Sequence, residues 1–331
     1  MFIDLLLTAF SLAFILLACF LFTNAIEWFG KTLNLDEGVV GSILAAIGTA
    51  LPETIIPIIA ICIYHDEKSI EIGIGAIAGA PFMLATLAFF VTGVSVILYT
   101  AAGRRTIKMN ADVRVIGRDL TFFFIIYSIA VLTTFISEFP VLKNGIAVVL
   151  LLSYAFYVKR SFSGAAGEWG NLDPLIFSRI FKAKTNLVWI LAQLILSLAG
   201  IIFGAHLFVQ YVEKLSVLFG VSALILSIII TPIATELPEK LNSVIWTGKG
   251  KDTLAMGNIT GAMVFQSCFP VVIGMLFTSW KLTGITLISA ALALFSAGFN
   301  LAWIKITKSV NPVVLLTGGL LYAVFLFCIF R

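Results

Sequence analysis

Three carboxylates lie more than a helical turn inside the long apolar stretches that hold them: Glu53, Glu236 and Glu239. A charged carboxylate at that depth in lipid costs about 2.5–3.5 kcal/mol even on insertion scales, so something cationic must compensate each. The neighbouring residues indicate what. Pro52 and Pro238 each directly precede a glutamate, and because proline has no N–H they free the carbonyls of Gly48 and Ala234, four residues back. Thr49 stands four residues before Glu53, and Thr235 four before Glu239, so each hydroxyl shares a helical face with its carboxylate. Two such elements face to face make a cluster of hard oxygens bearing two negative charges. Ca²⁺ takes roughly six to eight oxygen ligands and matches two carboxylates, whereas Mg²⁺ gives up its water less readily.

These residues need a membrane around them. The chain has 331 residues, of which 60% are hydrophobic and only 11% charged, with a mean hydropathy of +1.10. No water-soluble domain has that composition. Ten apolar stretches are long enough to cross a bilayer: 3 to 30, 38 to 63, 70 to 98, 119 to 137, 141 to 158, 186 to 213, 221 to 246, 253 to 278, 283 to 303 and 311 to 330. Segments of this length in lipid are helices, which predicts an all-α integral membrane protein. The first stretch has no basic region before it and no small-residue cleavage box after it, so it reads as a span rather than a signal peptide. A net charge of +4, without a basic helix, excludes a nucleic-acid partner. The four cysteines, Cys19, Cys62, Cys268 and Cys328, lack CxxC spacing and read as buried apolar residues.

Assigning the loops alternately to two sides puts fifteen Lys and Arg on one side, including Lys31, Arg104, Arg105, Arg118, Lys249 and Lys251, and five on the other. The positive-inside rule makes the first side cytoplasmic and both termini outward. The short loops suit a prokaryotic cell membrane.

The chain also repeats itself. Ile47-Gly48-Thr49-Ala50-Leu51-Pro52-Glu53 recurs as Ile233-Ala234-Thr235-Glu236-Leu237-Pro238-Glu239, an offset of 186. Gly75-Ala76-Ile77-Ala78-Gly79-Ala80 recurs as Gly257-Asn258-Ile259-Thr260-Gly261-Ala262, an offset of 182. Residues 1–158 and 186–331 then hold five spans each, joined by a linker at 159–185. With an odd number of spans, the second copy enters from the opposite side. That is the inverted repeat of secondary transporters, with the site at the midplane between the copies. The two Gly-xxx-Gly pairs predict close helix contacts that press the third and eighth spans onto the proline breaks.

On these motifs the chain resembles the cation/calcium exchanger superfamily, and within it the sodium/calcium exchangers, which show G-T-S-L-P-E and A-T-S-L-P-E where this chain has residues 48–53 and 234–239. The resemblance implies alternating access, in which the first and sixth spans slide against the second, third, seventh and eighth to exchange Na⁺ for Ca²⁺. It implies that Glu53 and Glu239 are the shared carboxylates and that Thr49 and Thr235 supply hydroxyl and carbonyl oxygens. This chain departs from the family where serine follows each threonine, here Ala50 and Glu236. In the third span, polar family positions are Ala76, Ala80, Pro81 and Leu84. In the eighth, Asn258 is kept, the serine is Ala262, and an expected aspartate is Gln266. The expected cation ligands are therefore Glu53, Glu239, Glu236, Thr49, Thr235, Gln266 and Asn258, with the backbone oxygens of Gly48 and Ala234.

Glu236 lies one turn before Glu239, so a proton is the alternative to sodium as counter-ion. No prosthetic group is expected, only inorganic cations and the surrounding bilayer. Nothing resembling a Ser/His pair, a paired-aspartate motif or a His/Cys metal cluster favours an enzyme. A channel is disfavoured by the inverted repeat with broken helices. Among the remaining residues, Glu27 and Glu213 read as interfacial or gate-lining, His206 as a packing residue, and Lys240 as pairing with an acid or reaching for the interface. The other acids, Asp119 and Asp252 among them, read as solvated span ends. If Glu53 and Glu239 hold the cation, Glu53→Gln and Glu239→Gln each abolish divalent flux and binding in purified protein; undiminished binding in either variant overturns the assignment.

Overall fold

The computed structural model describes residues 2–50, 54, 57–58, 60–64, 67–162, 172–218, 236–282 and 284–330. These residues form helices and their connections, with no β-strand among them, as a backbone that must satisfy its own N–H and C=O groups in lipid requires. In chain order they are α1 (Phe2–Thr32), α2 (Glu37–Thr49), α3 (Glu67–Met83, widening by one residue per turn at Leu84–Ala88, then Phe89–Ala101), α4 (Val113–Leu132) and α5 (Pro140–Phe162). After a short helix at Ile176–Ile180 come α6 (Leu187–Leu218), α7 (Leu237–Gly248), α8 (Asp252–Phe277), α9 (Gly284–Thr307) and α10 (Pro312–Leu315, then Thr317–Phe330). Among the described residues, eight of these are long and apolar enough to span a bilayer. The exceptions are α2 and α7, which lie in the second and seventh expected spans; residues 221–235 of the seventh lie outside the described residues.

Burial ranks the helices. Within the most apolar stretch of each helix, 83% of α8 is buried inside the protein against 28% of α1 and of α6. So α8 is the axis of the molecule, touched by α2, α3, α4, α5 and α7, while α1 and α6 pack mainly on each other at the periphery. The α1–α6 seam is close because Gly200 and Gly204 lie against Phe14, Ile15 and Ala18.

The α2–α8 crossing is closer still. A Cβ on Gly261 would stand 2.1 Å from the carbonyl oxygen of Ser42, and one on Gly257 would stand 3.1 Å from its Oγ. The second Gly-xxx-Gly pair therefore does what its spacing predicts. A Cβ on Gly75 or Gly79 meets no described residue within 4 Å, so the first pair has no such contact among the described residues.

Two acids expected at solvated span ends are buried instead. The fourth helix begins at Val113, earlier than the hydropathy boundary at 119, because Asp112 caps its first turn by accepting from the Arg114 N–H at 2.8 Å. Asp119 is thereby carried two turns inside the helix and is fully buried. Its Oδ2 accepts from Ser42 Oγ of α2 at 2.5 Å and from Thr260 Oγ1 of α8 at 3.0 Å. Its Oδ1 accepts from Tyr157 of α5 at 2.7 Å and from Arg118 Nη2 at 3.0 Å. Asp252, at the start of α8, is buried because the 102–112 connection folds back over it. Arg105 grips both its oxygens, at 2.6 and 2.8 Å, and the Asn110 N–H donates at 2.7 Å.

Of the cysteines, Cys19 and Cys268 are buried as expected, whereas Cys328 is exposed on α10. Gly261→Val is expected to force α2 and α8 apart, at the cost of about 1–3 kcal/mol typical of overpacking. It should lower the thermal midpoint in detergent, while Gly145→Ala on the exposed face of α5, with nothing within 4 Å of its Cβ, leaves it in place.

Candidate cation site

Two helix ends form the core of the site. Helix α2 stops at Thr49, where Ala50 (φ −80°, ψ 2°) turns out of the helix although its N–H still donates to the Ala46 carbonyl at 3.0 Å. Helix α7 starts at Leu237, after Glu236 (φ −90°, ψ 11°), with Pro238 in its first turn. A proline there loses no hydrogen bond, since the first N–H groups of a helix have no partner inside it. Among the described residues, α7 thus begins at the point where the sequence predicts a kink in the seventh span. Glu239 falls in the first turn of α7, where the partial positive charge of the helix N-terminus favours an anion.

A chain of polar contacts joins these ends through α8. Thr49 Oγ1 lies 3.1 Å from the Ala45 carbonyl and 3.3 Å from Asn258 Oδ1, and Asn258 Nδ2 donates to the Glu239 carbonyl at 3.3 Å. Thr49, Asn258, Glu236, Glu239 and Gln266 are all buried. Thr49, Asn258 and the backbone of Glu239 are thus brought together, whereas the expected ligand of Glu239 is its carboxylate. Gln266 stands two turns beyond Asn258, about 12 Å along the helix axis, at another depth of α8. Gly48 faces the peripheral pair: a Cβ there would stand 3.4 Å from Phe22 of α1 and 3.7 Å from Leu198 of α6. Pro52, Glu53, Ala234 and Thr235 lie outside the described residues, as does the side chain of Glu213. No three His, Cys, Asp or Glu side chains converge as a metal site among the described residues.

Lys240 takes the first of its two expected roles. Its ammonium is 3.0 Å from Glu236 Oε2, with both side chains buried. His206 is exposed, not packed. The sequence reading overlooked Asn242, which is fully buried one turn after Glu239 and has no hydrogen-bond partner for either amide atom among the described residues. Its spacing of three from Glu239, which puts both on one face of α7, was the available signal.

The loops that carry most of the basic residues meet at one end of the bundle. There Glu27 of α1 is buried within the protein, which excludes the interfacial of its two expected roles and not the gate-lining one. It accepts from Trp246 Nε1 of α7 at 3.0 Å and pairs with Lys251. Asn24 and Trp28 of α1 donate to the carbonyls of Asp173 and Pro174, and Gln193 of α6 bridges Asn24 and the Phe177 N–H. Lys249, 2.8 Å from Asp173, holds the Asp173 carboxyl below its ordinary range.

A family model described as "Sodium/calcium exchanger protein" matches residues 3–162 and 189–331. An uncharacterized membrane protein of Methanocaldococcus jannaschii is 23% identical over 274 residues, 81% of this chain and 82% of the relative. The inner membrane protein YrbG of Escherichia coli is 24% identical over 240 residues, 71% of this chain and 68% of the relative. In fold, the chain matches a solved structure of the sodium-calcium exchanger NCX_Mj with a TM-score of 0.73 at 18% identity, covering 98% of this chain and 97% of that one.

Because Asn258 is the side chain that links the end of α2 to the start of α7, Asn258→Ala should weaken divalent binding by about 10–100-fold, the range for groups that orient ligands. Calorimetry on purified, folded protein measures this; unchanged affinity means Asn258 does not position the site.

Proposed function

The chain belongs to the sodium/calcium exchanger protein family, and from that premise we propose that it exchanges Ca²⁺ for Na⁺ by alternating access at the break between α2 and α7. The observation that supports this reading is the Thr49–Asn258–Glu239 connection, which gathers oxygen-bearing groups from two helix ends onto the buried axis. In this proposal Glu53 and Glu239 supply the charge. Thr49, Thr235, Asn258 and Gln266, with the carbonyls of Gly48 and Ala234, supply neutral oxygens, and Glu236 borders the cation. Two carboxylates balance one divalent ion, or the monovalent ions that replace it, so the site is near neutral in either loaded state and costly to move when empty. That difference couples the two fluxes. The basic end of the bundle is the cytoplasmic end, and both termini face outward.

A second reading, with protons as the counter-ion, is favoured by one observation: Glu236 Oε1 is buried and has no hydrogen-bond partner among the described residues. One assay separates the two. Purified protein reconstituted in vesicles is expected to take up Ca²⁺ when a sodium gradient is imposed and not when a pH gradient alone is imposed. The reverse pattern selects the proton reading. Ca²⁺ flux that needs no ion on the far side contradicts an exchanger of either kind.

A further inference from the structure

The break in the second repeat contains a charge pair that the first repeat lacks. At the offset of 186, Glu236 corresponds to Ala50 and Lys240 to Thr54. In the first repeat, Thr54 Oγ1 donates across one turn to the Ala50 carbonyl at 2.6 Å. In the second, Lys240 Nζ makes the equivalent contact with the Glu236 carbonyl at 3.3 Å and adds the Glu236 carboxylate, Oε2, at 3.0 Å. The same bridge over the broken turn is thus neutral in one copy and an ion pair in the other. Glutamate and lysine occur together in the second copy, and their charges sum to zero.

Both side chains are buried, Glu236 with 0% and Lys240 with 4% of its surface exposed. In such surroundings, removing one member of an ion pair leaves the other charge uncompensated. Lys240 is also the residue directly after Glu239, so its ammonium is a cation fixed by a covalent tether at the edge of the proposed transport site.

We propose that Lys240 is a built-in monovalent cation that permanently balances Glu236, so that Glu236 recruits no transported ion and each Ca²⁺ is exchanged for two monovalent cations without net charge movement. This rests on the sodium-exchange reading above and sets its ion count. Glu53 and Glu239 then carry the whole mobile charge.

The test is charge moved per Ca²⁺ in vesicles held at a set membrane potential, together with the cooperativity of the monovalent ion. Wild-type exchange should be insensitive to the potential. Lys240→Met exposes the Glu236 charge; exchange should become potential-dependent, and the Hill coefficient for the monovalent ion should rise from about two to about three, the coefficient being bounded by the number of sites. The double variant Glu236→Gln with Lys240→Met, neutral again, should move no net charge per Ca²⁺, whatever its rate, and Lys240→Arg should keep the wild-type charge count. A wild type that moves charge in each cycle overturns the proposal, as does a Lys240→Met variant with unchanged potential dependence. Should Lys240→Met fail to fold, the double variant and Lys240→Arg decide, since either one departing from the wild-type charge count also overturns it. Absence of any Ca²⁺ flux in the wild type on either gradient is a separate outcome, which removes the exchange reading and this inference with it.

Discussion

One fully buried carboxylate organises the interior. Asp119 can stay buried only if hydrogen-bond donors surround it, and they come from α2, α4, α5 and α8. Ser42 and Thr260 meet on the same oxygen, Oδ2, which fixes the register of α2 against α8. Thr49 lies about two turns beyond Ser42, and Asn258 half a turn before Thr260, so this anchor sets the distance at which Thr49 and Asn258 meet. The glycines at 257 and 261 remove the bulk that would oppose that approach. In lipid, where apolar surface gives helices little reason to prefer one another, close packing and buried polar contacts supply the association.

The basic end of the bundle shows a different use of charge. Arg105 with Asp252 and Lys251 with Glu27 are pairs whose acids are buried and whose bases reach in from connections. The first pair fastens a connection to α8, inside the central group of helices. The second joins α1, in the peripheral pair, to the segment between α7 and α8, with Trp246 donating to the same carboxylate. Interactions of the second kind must change if the peripheral pair moves relative to the centre. Those around Asp119 need not.

What the sequence revealed follows from where the determining information lies. Apolar runs fix helices because lipid leaves the backbone no alternative, and all ten expected spans have a described helix or part of one in their place. The paired Thr-x-Leu-Pro-Glu segments were legible because threonine, proline and glutamate act on one another within a single turn. Asp119 was misread because its donors come from positions 42, 157 and 260, far away in the chain, and because the first turns of α4 are too polar for a hydropathy boundary to include. The burial of Glu27 was hidden for the same reason, its partners lying at 246 and 251. The choice for Lys240 between an acid and the interface was a question of rotamer, which only the surrounding packing settles.

The pairing of α1 with α6 has a consequence for how the protein is made. Most of the contact surface of α1 inside the molecule belongs to a helix that begins at Leu187, and its polar residue Asn24 is satisfied by Gln193 and by the segment just before it. A ribosome adding about 5–20 residues each second leaves the first helix in the bilayer for many seconds before those partners exist. During that interval the side chains of Asn24 and Glu27 must find water, lipid headgroups or a helper protein, so α1, synthesised well before α6, waits longer than the later helices to reach its final neighbours.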